Sequence, residues 1–236
     1  TENLGFSLLY QHYDRELAAP NSSDLNYDST AFTSGPATDE WDLLNLVIEW
    51  DMDFASLTSS TGYIDRKTIT SVDISGFLYF VELFGPGSTI LNPNPTVPNP
   101  ISKVGYVVDT SNEIFTQEFR LAGSVMNDRL YWTAGAFYQD SEQGGPSLTE
   151  YYPDPTASDF VALVGSLNQT TDAWAVFAEL TYNFTDKWEG TVGLRYYEDT
   201  REANNQVLSL GQPTFIADEV DNDATVPRFV LKYRYD

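Results

Sequence analysis

The chain has 236 residues, and its 35 acidic and 12 basic side chains give a net charge of −23 at neutral pH. Nucleic-acid binding depends on lysine and arginine to neutralise phosphates, so this charge argues against nucleic acid as a partner. Cysteine is absent, which excludes disulfides and thiolate metal sites. Aromatic residues make up 14% of the chain, too many for a disordered acidic protein. The longest apolar runs are shorter than the ~18 residues that a membrane-spanning helix needs.

Alternating apolar and polar residues predict four strands in the first half of the chain, over residues 4–13, 43–50, 54–66 and 114–122. In the second strand the apolar side chains fall on one face, namely Leu44, Leu46, Ile48 and Trp50. In the fourth, Phe115, Phe119 and Leu121 alternate with Thr116, Glu118 and Arg120.

Four more strands are predicted over residues 129–140, 174–184, 188–196 and 225–235. The sixth and seventh are joined only by residues 185–187 and form a tight hairpin. Large aromatic residues stand eight positions apart on one face of each, at Trp174 and Tyr182 and at Trp188 and Tyr196. With a rise of ~3.3 Å per residue and a tilt of about 40°, this spacing corresponds to roughly 20 Å along the barrel axis. That distance is close to the height of the apolar band of an outer-membrane barrel.

The aromatic residues therefore predict two girdles. Trp50, Phe54, Phe184, Trp188 and Tyr233 are expected at the end of the short turns. The other row is expected to contain Tyr63, Tyr138, Trp174 and Tyr196. The strands of a soluble sandwich also alternate apolar and polar residues, but such a fold has no reason to place aromatic residues at both rims of one face.

The predicted links alternate in length. Residues 51–53, 123–128 and 185–187 are short links, whereas residues 14–42, 67–113, 141–171 and 200–224 are long ones. Structureless links beyond ~12–15 residues are uncommon in compact soluble domains. Short periplasmic turns that alternate with long extracellular loops are typical of a transmembrane β-barrel. The long links also contain many of the acidic residues, for example Asp14, Glu16, Asp24, Asp28, Asp39, Glu40, Asp218 and Glu219.

Charged residues inside the predicted strands lie opposite the apolar face. A charge that faces lipid near the midplane costs ~2–4 kcal/mol, so these residues are expected to face the lumen. The lumen candidates are Glu118, Arg120, Glu179, Arg195 and Arg228, and the expected lipid-facing residues are Phe119, Leu180, Leu194 and Leu231. A solvated face of a soluble sheet would give the same periodicity.

Few residues in the sequence suggest a catalytic, metal or ligand site. The only histidine, His12, lies near the end of the first strand and is interpreted as a rim residue, so neither a catalytic site nor a cofactor site is predicted. The acidic run 218–223 could offer oxygen ligands to Ca²⁺, but a solvated loop is the favoured interpretation. Within the second long link, an aromatic element could line a ligand funnel or form the loop's own core, and its funnel candidates are Phe77, Tyr79, Phe80 and Phe84.

Four stretches resemble the TonB-dependent outer-membrane receptor family, in the same order as in that family: residues 46–66, 116–140, 175–201 and 226–233. The resemblance implies a bacterial outer-membrane barrel of more than eight strands, filled by an N-terminal plug. Such receptors import siderophores, haem, cobalamin or glycans with energy from the TonB complex, in contact with outer-membrane lipid and lipopolysaccharide. No TonB box or plug segment is recognisable, so residues 1–236 are interpreted as part of one barrel domain.

Two alternatives stay open. One is a complete eight-stranded outer-membrane barrel, whose lumen would be packed with side chains. The other is a secreted β protein that binds glycans through exposed aromatic residues. A hydrogen-bonded ladder between the first and last strands would favour the small barrel, whereas a slice of a larger barrel would leave these two strands apart.

Overall fold

The computed structural model describes residues 3–19, 35–73, 101–153, 160–209 and 212–235. These residues form one eight-stranded antiparallel sheet in which the strands follow one another in chain order. The strands are β1 (Leu4–Ala19), β2 (Gly35–Asp51), β3 (Ser56–Asp73), β4 (Ile101–Val125), β5 (Leu130–Pro153), β6 (Phe160–Asn183), β7 (Trp188–Ser209) and β8 (Gln212–Tyr233). The all-β prediction is confirmed, as is the order of eight antiparallel strands.

The strands are longer than predicted and take up part of every predicted long link, and the prediction of a fourth long link over residues 200–224 is wrong. β4 has 25 residues and β7 has 22, and much of the predicted links is paired strand. The link expected over residues 200–224 belongs to β7 and β8 except for residues 210 and 211, which lie outside the described ranges. The backbone ladder continues in these extensions, but the alternation of apolar and polar residues disappears because polar residues lie on both faces.

Short connections lie at one end of the sheet, at residues 52–55, 126–129 and 184–187. Two aromatic residues predicted within strands, Phe54 and Phe184, belong to these connections. The second connection begins where β4 ends, and Met126, Asn127 and Asp128 adopt φ angles of 60°, 54° and 61°. Asn and Asp tolerate this conformation, and the predicted turn over residues 123–128 includes them. It begins three residues too early, because Gly123 lies inside β4.

The register assigns each residue to one of two faces, since directly paired residues point to the same side of a sheet. Trp174 pairs with Tyr138, and Leu180 pairs with Val192 and Trp132. Following these pairs across the sheet gives an apolar face that carries no charged side chain between its two aromatic rows, among the described residues. The opposite face, here called the charged face, carries the charges of the strand interiors.

The two aromatic rows are confirmed. At the end with the short connections, the ring centres of Trp188 and Tyr233 lie 4.8 Å apart. In the other row, Tyr63 pairs with Phe115. That row continues through Phe115–Tyr138 and Trp174–Tyr196 contacts of 6.5 and 5.5 Å between ring centres. The rows keep to opposite ends of the apolar face.

The sheet is open in the described residues, because β1 pairs only with β2 and β8 only with β7. No ladder joins the first and last strands, as expected for a slice of a larger barrel. Among the described residues, no helix has the length and apolar character to cross a membrane.

Candidate functional site on the charged face

All five residues predicted to face the lumen lie on the charged face. By register, Glu118 and Arg120 of β4 share this face with Glu179 of β6, Arg195 of β7 and Arg228 of β8. The four residues predicted to face lipid lie on the apolar face, namely Phe119, Leu180, Leu194 and Leu231. The separation of the two sets is confirmed, while the assignment of the faces to lumen and lipid stays a prediction.

Ion pairs connect the strands near the short connections. The Arg228 guanidinium donates to the Glu179 carboxylate over 2.7 Å, which bridges from β8 to β6 across β7. This long reach is possible because Gly193 lies between the two residues in the register and has no side chain. Arg234 donates to Glu189 at 2.6 Å. Because each of these arginines is paired with a carboxylate, the pairs offer little unbalanced positive charge to a ligand.

In the middle of the charged face, an arginine covers an aromatic ring. The guanidinium carbon of Arg195 lies 5.9 Å from the ring centre of Phe177, within the range of a cation–π contact. The same ring lies over Gly135, its direct partner on β5. Phe177 therefore joins β5, β6 and β7 on the side that bears the charges.

Beyond the row that contains Tyr63, the charged face carries an aromatic and arginine cluster. The rings of Tyr13 and Trp41 are stacked with centres 5.5 Å apart, and Trp41 pairs with Arg66 in the register. Arg66 binds Asp39 through two hydrogen bonds of 2.8 and 2.9 Å. The hydrogen bonds from Arg66 lower the pKa of the Asp39 carboxyl. Sequence reasoning placed these residues in or beside a loop and missed the cluster.

The Asp39 pair gives a pH-dependent prediction. Because its folded-state pKa is lowered, its contribution to stability is present above the ordinary aspartate value of about 3.9 and is lost as the pH falls through the lowered pKa. The pair is exposed, so the effect is small. In the full-length protein, the difference in urea midpoint between wild type and Asp39→Asn should be present at neutral pH and shrink toward zero on acidification. Arg66→Gln should produce the same loss, and an unchanged pH dependence in that variant would contradict the prediction.

On the apolar face, carboxylates follow directly beyond the aromatic row that contains Tyr63. Four tyrosine hydroxyls donate to them: Tyr10 to Asp42 at 2.7 Å, Tyr63 to Glu113 at 3.3 Å, Tyr138 to Asp172 at 3.2 Å and Tyr196 to Glu198 at 3.2 Å. Nδ1 of His12 lies 3.0 Å from the Asp42 carboxylate, so His12 is part of this rim. Hydrogen bonds from Tyr10 and then His12 lower the pKa of Asp42. The apolar band thus ends at a polar edge on this side.

Two other candidates have different outcomes. Phe77, Tyr79, Phe80 and Phe84, the funnel candidates, lie outside the described residues, as do Asp24 and Asp28. The acidic run 218–223 is not a loop but part of β8, where successive side chains point to opposite faces. No group of three or more His, Asp or Glu side chains that could hold a metal ion occurs in the ranges that the structure describes.

Comparison with known proteins gives the family. The family model described as "TonB dependent receptor-like, beta-barrel" matches residues 1–236. The chain belongs to the TonB-dependent receptor β-barrel family. None of the curated protein sequences matches it.

Solved structures of receptors share the fold of this family member. The ferric yersiniabactin uptake receptor FyuA from Yersinia pestis is 13% identical with a TM-score of 0.71, over 98% of this chain and 32% of the receptor. The ferric citrate transporter FecA is 15% identical with a TM-score of 0.63, over 100% of this chain and 32% of FecA. The ferric-catecholate import receptor Fiu from E. coli K12, in its open form, is 14% identical with a TM-score of 0.59, over 96% of this chain and 41% of Fiu. The chain therefore spans about a third of the length of the first two structures.

Proposed function

We propose that the chain forms part of the barrel wall of a bacterial outer-membrane receptor that imports a scarce ligand with energy from the TonB complex, and that it is not an enzyme. The observation that carries this proposal is the clean separation of the two faces. Between the aromatic rows, the described apolar face has no charge, whereas the charged face carries Glu118, Arg120, Glu179, Arg195 and Arg228. The apolar face meets lipid and lipopolysaccharide, and the charged face lines the lumen.

The open sheet supports a larger barrel. Lipid cannot satisfy the unpaired backbone groups at a sheet edge, so a membrane sheet must close. Since β1 and β8 do not pair with each other, their outer edges pair with further strands in the assembled protein. Residues 1–236 then form one portion of a single barrel domain, and the plug and the contact with TonB belong to other parts of the protein.

The face assignment can be tested with adjacent cysteines, because the chain has none of its own. Thr191 lies on the charged face and Val192 on the apolar face. In the full-length receptor in outer-membrane vesicles, a charged methanethiosulfonate reagent should label Thr191→Cys and leave Val192→Cys unlabelled. A lipid-soluble maleimide should label Val192→Cys. The reverse pattern, or equal labelling of both by the charged reagent, would contradict the assignment.

Transport is tested in the native host. Cells that lack the receptor gene should lose uptake of one probe among ferric citrate, haemin, cyanocobalamin and maltotetraose, and deletion of the TonB gene should abolish the same uptake. A receptor that reaches the outer membrane while uptake continues without TonB would favour the small-barrel alternative. Recovery of the folded protein in the medium, without detergent, would favour the secreted glycan-binding alternative.

A further inference from the structure

A pocket of about 190 Å³ opens across β4 to β7, beyond the aromatic row that contains Tyr63. By register most of its lining belongs to the charged face, where Thr110, Gln143, Leu167, Gln169 and Asn205 surround Gly145. On the proposed function, this part of the charged face lines the lumen on the extracellular side. The pocket thus lies in the wall that an incoming ligand would pass.

Gly145 creates the depression. Its φ of +154° is a backbone conformation that favours glycine, and a Cβ at this position would lie 1.9 Å from the carbonyl oxygen of Asp109. The neighbouring Gly144 is buried, and its backbone carbonyl accepts a hydrogen bond from the Ser111 hydroxyl at 3.1 Å. A Cβ on Gly144 would lie 2.6 Å from the side-chain oxygen of Asn168. The two glycines therefore let β4 and β6 approach β5 closely and leave a hollow between the longer side chains.

Amide groups surround this hollow and are not engaged by the protein. Gln143 pairs with Gln169, and Leu167 pairs with Asn205, so their side chains stand next to one another on the same face. Within the described ranges, the amides of Gln143, Gln169 and Asn205 make no hydrogen bond to protein groups. Each amide offers two donors and an acceptor. Leu167 is 62% exposed beside them and adds apolar surface.

We propose that this pocket, the Gly145 pocket, binds one sugar unit of a neutral glycan, an inference that rests on the proposed import function and narrows its ligand. Hydroxyl groups on adjacent sugar carbons both donate and accept, which matches planar amides. Among the described residues, the lining contains no lysine or arginine to hold an anion, and Asp109 is its only charged residue. The chain's net charge of −23 also disfavours anionic iron chelates.

The size of the pocket supports one ring rather than a whole ligand. Pockets that enclose drug-sized molecules measure roughly 300–1,000 Å³, and 190 Å³ is smaller. Such a pocket holds one ring of a longer chain while the rest extends along the wall. The ferric citrate class of ligand would instead need cationic partners.

The test uses the full-length receptor in detergent and isothermal titration calorimetry. The neutral probes are maltotetraose, cellotetraose, xylotetraose and mannotetraose, and the anionic probes are tetragalacturonate and ferric citrate. At least one neutral probe should bind. The double variant Gln143→Leu/Gln169→Leu, which removes two amides, and Ala203→Leu, which fills the pocket, should each weaken that binding at least about tenfold. The matched control is Ala224→Leu, a half-buried alanine on the same face outside the pocket, which should bind as wild type does.

Each contrary result has a definite meaning. The Gly145 pocket proposal fails if no neutral probe binds, if the pocket variants bind like the Ala224→Leu control, or if the same variants weaken only an anionic probe. None of these results tests the proposed TonB-dependent uptake, which is measured separately in cells. Conversely, loss of TonB dependence with intact pocket-dependent sugar binding would overturn the proposed import function and leave the pocket as a glycan site.

Discussion

Replacing Ala134 by lysine is expected to lower the free energy of unfolding of the full-length receptor by about 2–4 kcal/mol, the cost of a cation near the bilayer midplane. Ala134 lies on the apolar face of β5, midway between the two aromatic rows, and stands between Leu121 and Ala178 in the register. Because alanine is small, the substitution removes almost no packing, so the loss measures the transfer of the charge. Urea unfolding in lipid vesicles, followed by tryptophan fluorescence, measures it.

The control is the adjacent residue. Thr133 lies on the charged face and pairs with Glu179, so Thr133→Lys gains a carboxylate neighbour in a wet lumen. Its effect should stay within about 0.5 kcal/mol. Equal losses from the two variants would mean that both faces meet the same solvent. That result would favour the soluble-sheet interpretation.

The alternation of apolar and charged residues was enough to predict the strands only between the two aromatic rows, where one face of the sheet is apolar and the other is charged. Between the aromatic rows, neighbouring residues such as Leu194 and Arg195 show the alternation of apolar and charged side chains that is typical of a strand. Beyond them, as in residues 200–206, polar residues occupy both faces at every position except Ala203. The ladder between β7 and β8 continues there through backbone hydrogen bonds, which leave little trace in composition.

The candidate sites depended on register, which local sequence does not determine. Gln143, Gln169 and Asn205 are far apart in the chain and meet only because β5, β6 and β7 pair in one particular alignment. Gly144 and Gly145 lie within residues 141–171, which were predicted to be a long link. The five lumen candidates were predictable because each lies inside an alternating segment, where the position in the alternation is enough to tell which face of the sheet a side chain occupies.

Gly135→Ala is expected to cost about 1–3 kcal/mol through overpacking, although alanine is ordinarily no worse than glycine in a strand. A Cβ at Gly135 would lie 2.3 Å from Cζ of Phe177 and 2.7 Å from the backbone oxygen of Phe119. The ring can rotate away, but the carbonyl belongs to the β4–β5 ladder and cannot. The control is Gly5→Ala, where the nearest atoms are 3.9 Å away, and this variant should be neutral or slightly stabilising.

Adding Phe177→Leu separates the two contacts at Gly135. The smaller side chain removes the ring clash and leaves the carbonyl contact, so it should restore only part of the stability lost in Gly135→Ala, once the cost of Phe177→Leu alone is subtracted in a double-mutant cycle. Full recovery would show that the ring alone requires glycine at this position. No recovery would show that the close approach of β4 and β5, at the Phe119 carbonyl, requires it.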